Sequence, residues 1–185
     1  MGRELTSESA TLSSFIAAAA FAAHKHRDQR RKGAEASPYV NHAIAVANVL
    51  ANEGGVADAA TLIAGLLHDT VEDTATTVEE LMELFGSQIA GVVAEVTDDK
   101  SLPKAERKQQ QILHSASLSD GAKLVKLADK ICNLRDISAA PPADWSLNRR
   151  QGYYDWARQV VNELRGVSPR LEAIFDAEYA RRPFQ

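Results

Sequence analysis

The chain has 185 residues, 45% hydrophobic and 25% charged, a composition that supports a substantial core and excludes a disordered chain. Its net charge of −4 and pI near 5.7 argue against a general nucleic-acid binder, which would carry a basic surplus. The one cysteine, Cys132, allows no intrachain disulfide. The longest apolar stretch, residues 15–23, is too short to span a bilayer, so a cytoplasmic protein without a membrane partner is expected.

The first third of the chain is predicted to form three helices. Residues 11–30 are rich in alanine, the strongest helix former. Pro38 suits the first turn of a second helix. Asp58 can cap a third helix that ends in LLHD at residues 66–69. Because this third helix is apolar nearly all round, we expect it to be central and buried.

Helical signals continue through the rest of the chain. Thr77 and Glu80 form a capping-box pattern, and Gly86 ends the helix that follows it. Residues 87–97 are ambiguous, because their β-branched side chains favour a strand whereas their neighbours are helical. Further helices are predicted over residues 103–114, 122–137, 144–165 and 169–181. Without strand alternation, a repeat or a long linker, the prediction is one all-α domain, a helical bundle spanning residues 1–185.

The third predicted helix runs into the sequence LLHDTVEDT, which places four ionisable side chains directly after an apolar run. His68 and Asp69 should therefore lie at or near the interior. A buried carboxylate without a partner is strongly destabilising, so Asp69 requires a cation, for which a metal ion is the strongest candidate. Glu72 and Asp73 follow one turn later on the same side. The alternative is a solvated helix end, with Glu72 and Asp73 capping the next helix.

Two further side chains are candidates for completing such a site. His42 begins an apolar helix, where a lone histidine is also compatible with a satisfied core residue. Asp129 lies in the periodic helix beside small apolar residues, with Asn133 one turn on, and both a functional and a packing role remain open for it. Three lysines of this helix are predicted to form its solvent-facing side: Lys123, Lys126 and Lys130.

A histidine, a His-Asp pair and a distant aspartate on separate helices resemble the HD phosphohydrolase superfamily. The segments SPYVNH, LLHDTVEDT, VTDDKSLPK and KLVKLADKICNLRDI are similar, in this order, to the hydrolase domain of the RelA/SpoT alarmone enzymes. The length matches the stand-alone small alarmone hydrolases of the Mesh1 type, and the resemblance covers residues 15–161. It implies a mostly helical HD fold and a manganese-dependent (p)ppGpp 3′-pyrophosphohydrolase that converts ppGpp to GDP and pyrophosphate. A synthetase or regulatory domain is not expected.

The resemblance also assigns roles by position. The implied ligands of one Mn²⁺ ion per chain, or of another divalent metal, are His42, His68, Asp69 and Asp129. The implied catalytic pair, which would orient the attacking water and move its proton, is Glu72 and Asp73. The implied substrate contacts are Arg31, Lys32, Asn133, Lys104, Arg149 and Tyr153. The chain departs from many RelA/SpoT hydrolase domains in a longer segment before His42 and in lacking a proline after it.

Two alternatives remain open at the level of sequence. One is an HD phosphohydrolase that acts on another nucleotide, such as the 2′-phosphate of NADPH or a nucleoside phosphate. The other is a metal-binding sensor without catalysis, whose signature would be a broken acidic pair or a missing ligand, and neither is seen. The expected partner is a guanosine polyphosphate, with no nucleic acid and no membrane, and the oligomeric state is left undefined.

Overall fold

A computed structural model describes residues 7–33 and 35–184, with side chains from residue 11 onward. The described residues form an all-α fold, as predicted, and their β-structure is limited to one isolated bridge between Arg30 and Pro38. The helices are α1 (Ser7–Lys25), α2 (Val40–Asn48, continued by a π-helical turn at Val49–Glu53), α3 (Ala59–Leu67), α4 (Thr70–Asp73), α5 (Val78–Phe85), α6 (Ser87–Val96), α7 (Lys104–Ser115), α8 (Asp120–Ala139), α9 (Leu147–Leu164) and α10 (Pro169–Tyr179). Within this described part, no helix combines the length and hydropathy that crossing a bilayer requires.

Capping explains where several helices begin and end. The Asp58 carboxylate accepts a hydrogen bond from the Thr61 amide at 2.8 Å, and the Thr77 hydroxyl accepts one from the Glu80 amide at 3.2 Å. The capping box is only half formed, because the Glu80 carboxylate binds Lys25 on α1 instead. Gly86, with φ of 88°, adopts the left-handed backbone that separates α5 from α6.

Several predicted boundaries differ from the structure, and three of the differences have a clear cause. α1 ends at Lys25 rather than near residue 30, because Arg30 adopts the extended backbone that pairs with Pro38. For the same reason Pro38 precedes α2 instead of opening it, and Tyr39 is the N-cap. α9 begins at Leu147 rather than near residue 144, with the Ser146 hydroxyl as its cap. Of the ambiguous residues 87–97, residues 87–96 form helix α6, which packs its buried side chains against α3 and α5.

Helices α3 and α8 lie at the centre of the fold. α3 packs against α1, α2, α6 and α8, and α8 also contacts α9 and α10. Helix α2 and its π-helical extension approach α3 closely at Gly65, where an added Cβ would come within 2.8 Å of Leu50 Cδ1. Leu50 is itself fully buried, so an added Cβ would require its side chain to shift within a packed core. The crossing of α2, α3 and α8 brings the predicted metal ligands to one place.

The prediction that the lysines of α8 face solvent is wrong for two of them. Lys126 is 7% exposed and Lys130 is 4% exposed, whereas Lys123 is half-buried. Because α8 is surrounded on several sides, it has no continuous wet face at these positions. Lys126 donates to the Val96 carbonyl at 3.4 Å, and Lys130 forms an ion pair with Asp129.

Candidate active site

The four predicted metal ligands converge between α2, α3 and α8. His42 Nε2 lies 3.2 Å from Asp129 Oδ1 and 3.8 Å from Asp69 Oδ2. His68 Nε2 lies 2.9 Å from Asp69 Oδ2 and 3.9 Å from Asp129 Oδ1. Ligand atoms of His42, His68 and Asp69 all fall within 4.8 Å of one another, a spacing that one metal ion can bridge. Asp129 Oδ1 faces the same centre from α8.

A break in the helical backbone explains how two adjacent residues reach one centre. Neighbouring residues of a continuous helix point about 100° apart. Here α3 ends at Leu67, and Asp69 becomes the N-cap of α4 with φ of −97° and ψ of −1°. This bridge conformation is typical of turns and active sites. The break therefore lets His68 and Asp69 face the same point.

The imidazole of His68 is prepared to bind a divalent ion. Its Nδ1 lies 2.9 Å from the Gly65 carbonyl, so Nδ1 carries the hydrogen of the neutral ring and Nε2 is left as the donor atom. His68 Nε2 is buried and, among the described residues, has only the carboxylate oxygens of the cluster near it, Asp69 Oδ2 at 2.9 Å and Asp129 Oδ1 at 3.9 Å. His42 presents its Nε2 to the same carboxylates. Two imidazoles and two carboxylates form a donor set that suits a borderline divalent metal. The residues present thus fit a metal ion.

In the metal-free cluster, a proton on His68 balances part of the negative charge of Asp69 and Asp129. Burial lowers the pKa of His68, but the charges of Asp69 and Asp129 outweigh it and raise that pKa to about 9. Burial raises the pKa of Asp69, yet His68 and His42 hold it below the usual range. For Asp129, burial is likewise outweighed by Lys130 and His42, which keep its pKa low. A divalent ion can take over the balancing charge and release the proton of His68.

Tyr39 belongs to this site and was missed by the sequence reasoning. Its hydroxyl donates to Asp69 Oδ2 at 2.6 Å, and its ring stacks on His26 at 4.8 Å between centroids. Burial and the charge of Asp69 raise the pKa of Tyr39, so the phenol remains a donor that fixes the carboxylate. The available signal was its spacing, since Tyr39 precedes His42 by three residues in SPYVNH.

Glu72 and Asp73 lie on the same short helix, α4, but their side chains have different surroundings. Glu72 Oε2 accepts from the Asp98 amide at 3.2 Å, and Oε1 lies 3.8 Å from Arg107 Nη1. Burial, together with the charges of Asp98 and Asp69, raises the pKa of Glu72 to about 7. Asp73 instead lines the neighbouring cavity and pairs with Lys100. Glu72 therefore combines partial burial with a pKa near neutrality.

A cavity of about 440 Å³ adjoins the cluster. Four of the predicted substrate contacts line it: Arg31, Lys32, Asn133 and Tyr153. Arg31 donates to Asn133 Oδ1 at 2.7 Å and to Asp136 Oδ2 at 2.6 Å, which ties its guanidinium to α8. Its guanidinium carbon also lies 5.5 Å from the centre of the Tyr39 ring. The cavity therefore has a planar cation and aromatic rings in its wall.

Lys104 and Arg149 do not line this cavity but belong to a group of positive charges beside it. Burial, and then the charges of Arg149, Lys32 and Arg107, lower the pKa of Lys104. Arg149 stacks at 4.5 Å on Trp145, a residue of the cavity wall, and Lys32 lines the cavity itself. In a chain of net charge −4, this local excess of cations favours an anionic ligand.

Comparison with known proteins places these features in context. The profile of the HD domain matches residues 18–157. The chain is 55% identical to the guanosine-3′,5′-bis(diphosphate) 3′-pyrophosphohydrolase MESH1 of Mus musculus, over 90% of this chain and 93% of that protein. The corresponding protein of Homo sapiens is 54% identical over the same shares. The solved structure of a metazoan ortholog of SpoT that hydrolyses ppGpp superposes with a TM-score of 0.89 at 46% identity, covering 93% of this chain and 97% of that chain.

Proposed function

Because the chain belongs to the HD-domain family, and within it to the MESH1 group, we propose that it is a metal-dependent (p)ppGpp 3′-pyrophosphohydrolase. The reaction would convert ppGpp to GDP and pyrophosphate. The observation that carries this proposal is the cluster of His42, His68 and Asp69, joined by Asp129 from α8, beside a cavity with a group of cations at its border. A guanosine polyphosphate is the proposed small-molecule partner, and the cytoplasm is the proposed location.

The HD fold implies a divalent metal, and we propose Mn²⁺, held by His42, His68, Asp69 and Asp129. A divalent ion at this position supplies Lewis-acid activation of water and of a phosphate oxygen. Tyr39 would keep Asp69 in place through its 2.6 Å hydrogen bond, and the Gly65 carbonyl would keep the ring of His68 in the binding tautomer.

Glu72 is the residue that we propose moves the proton. A base works best when its pKa lies near the working pH, and the pKa of Glu72 is raised to about 7. Its carboxylate would take the proton of the water that attacks the phosphorus bound to the ribose 3′ oxygen. The bond between that oxygen and the phosphorus would then break: the water oxygen would leave as part of pyrophosphate, and the ribose 3′ oxygen would take up a proton to become the hydroxyl of GDP. Asp73 would act from the cavity wall, where its pairing with Lys100 limits its movement.

The nucleotide is proposed to lie in the 440 Å³ cavity. The Arg31 guanidinium, held in place by its bonds to α8, would stack on guanine. Tyr153 would contribute its ring or its hydroxyl to the same pocket. Lys32, Lys104 and Arg149 would balance the phosphate charges at the border of the cavity. In this arrangement the base would lie against the cavity wall, the 3′ phosphorus near the metal cluster, and the remaining phosphate charge at the cationic border.

The proposal is tested by incubating the purified protein with ppGpp, with and without Mn²⁺, and identifying products by chromatography. Mn²⁺-dependent formation of GDP and pyrophosphate is expected. A panel of pppGpp, GTP, cyclic GMP and NADPH run in parallel distinguishes the alarmone from other nucleotides. Turnover of another nucleotide with none of ppGpp would contradict the proposal, as would full metal occupancy without any turnover.

Lys32→Ala is expected to raise the KM for ppGpp by about tenfold with little change in kcat. The reason is that a charged contact to phosphate contributes roughly 1.5–3 kcal/mol, less when the lysine is exposed as here. Initial rates over a range of ppGpp concentrations measure both constants. Lys123→Ala, which removes a lysine outside the cavity lining, is the matched control and should change neither. A pure loss of kcat in Lys32→Ala would refute the binding role.

A further inference from the structure

The two oxygens of Asp129 have different surroundings. Oδ1 faces the metal cluster, 3.2 Å from His42 Nε2, and accepts a hydrogen bond from Asn133 Nδ2 at 2.5 Å. Oδ2 lies 2.9 Å from the ammonium of Lys130, the next residue of α8. The Lys130 side chain is 5% exposed, so this is a buried ion pair that water does not screen.

Trp156 of α9 covers this ion pair. The Lys130 ammonium lies 4.6 Å from the centre of the Trp156 ring, within the range of a cation–π interaction. The ring is held in place because its Nε1 donates to the Lys108 carbonyl of α7 at 3.1 Å. Lys126, one turn earlier on α8, is also buried, but its described hydrogen bond is to the Val96 carbonyl rather than to a carboxylate.

From this arrangement, we infer that Lys130 is a positioning residue for Asp129: it occupies Oδ2, so that Asp129 offers Oδ1 to the metal, and Trp156 keeps the pair dry. The inference rests on the proposed metal centre. The Lys130 ammonium also withdraws negative charge from the Asp129 carboxylate. A metal ion bound there would stay more electrophilic, but the protein would bind it less tightly. Loss of Lys130 should therefore reduce turnover without weakening metal binding.

The test compares Lys130→Met with Lys126→Met. Both remove a buried ammonium from α8 one turn apart, but only Lys130 contacts Asp129. Affinity for Mn²⁺ is measured without substrate, from the electron paramagnetic resonance signal of the free ion, and kcat at saturating Mn²⁺ and ppGpp. In Lys130→Met we expect kcat to fall about 10–100-fold, the usual effect of losing a partner of a metal ligand, with Mn²⁺ affinity unchanged or raised. Lys126→Met leaves the Lys130–Asp129 pair intact, so its kcat should fall less than that of Lys130→Met, with Mn²⁺ affinity unchanged.

Lys130→Arg keeps the positive charge and should restore most of kcat. Because breaking a buried ion pair destabilises a protein, Lys130→Gln replaces the methionine variant if that variant fails to fold, with the same two readouts. An unchanged kcat would overturn the inference. So would a parallel fall in Mn²⁺ affinity and kcat, since Lys130 would then only hold the centre together. If the wild type binds Mn²⁺ but leaves ppGpp intact, the proposed function fails. If only Lys130→Met binds Mn²⁺ more weakly, the proposed function stands and the inferred role of Lys130 fails.

Discussion

Replacing Asp69 with alanine is expected to abolish divalent-metal binding and ppGpp hydrolysis together, with kcat/KM falling at least ~10³-fold. Asp69 Oδ2 lies 2.9 Å from His68 Nε2 and 3.8 Å from His42 Nε2, so it connects both imidazoles of the cluster. Its removal also leaves the Tyr39 hydroxyl without its acceptor. The loss of metal binding and the loss of hydrolysis share one cause, because the ion that would activate the water is no longer held.

Metal content per chain, measured by mass spectrometry after dialysis against Mn²⁺, checks this prediction. Asp129→Ala should behave in the same way. Asp136→Ala is the matched control, since Asp136 lies on the same helix but pairs with Arg31 at the cavity and should retain the metal. Equal manganese in Asp69→Ala and the wild type would disprove the assignment of the ligand.

The second large effect is expected for Glu72→Gln, which should keep the metal but lower kcat on the order of 10² or more. The amide is nearly isosteric and can still accept from the Asp98 amide, as Glu72 Oε2 does at 3.2 Å. What it loses is the ability to take a proton. Steady-state rates together with metal content separate this loss from a loss of the ion, and a kcat equal to that of the wild type would remove Glu72 from the chemistry.

The pH profile of kcat gives an independent check on Glu72. Burial and neighbouring carboxylates raise the pKa of Glu72 to about 7 in the metal-free protein, so its basic form is lost as the pH falls through that value. A bound cation favours the ionised form, which places the acid limb of the wild-type profile at or below pH 7. Glu72→Gln should lack this limb. The exposed Glu79→Gln on α5 is the control and should keep it.

The sequence was sufficient for the parts of the site that depend on local chemistry. His68 and Asp69 stood out because charge followed an apolar helix, and the structure confirms that this helix, α3, is central and buried. His42 and Asp129 were assigned by resemblance to the family, and they face the same cluster. The roles of these residues in binding and catalysis, and a single domain over residues 1–185, stay predictions.

Features that depend on long-range packing were not readable from the sequence. The helical pattern of α8 suggested a lysine-rich wet side, but helices from several directions bury Lys126 and Lys130. Glu72 and Asp73 diverge because neighbouring residues of a helix point about 100° apart, and the partners that each then meets, Asp98 and Arg107 for Glu72 and Lys100 for Asp73, lie in a later part of the chain. The hydrogen bond from Tyr39 to Asp69 joins residues that are 30 positions apart and required the fold to be known.

The close contact at Gly65 has a consequence for how this protein can evolve. A side chain there would require Leu50 or α3 to shift, and the Gly65 carbonyl is also the group that orients the imidazole of His68. Selection for a well-packed interior and selection for chemistry therefore act on one residue. A larger residue at position 65 would therefore disturb the α2–α3 contact and the support of His68 together, unless the Leu50 side chain moves to make room.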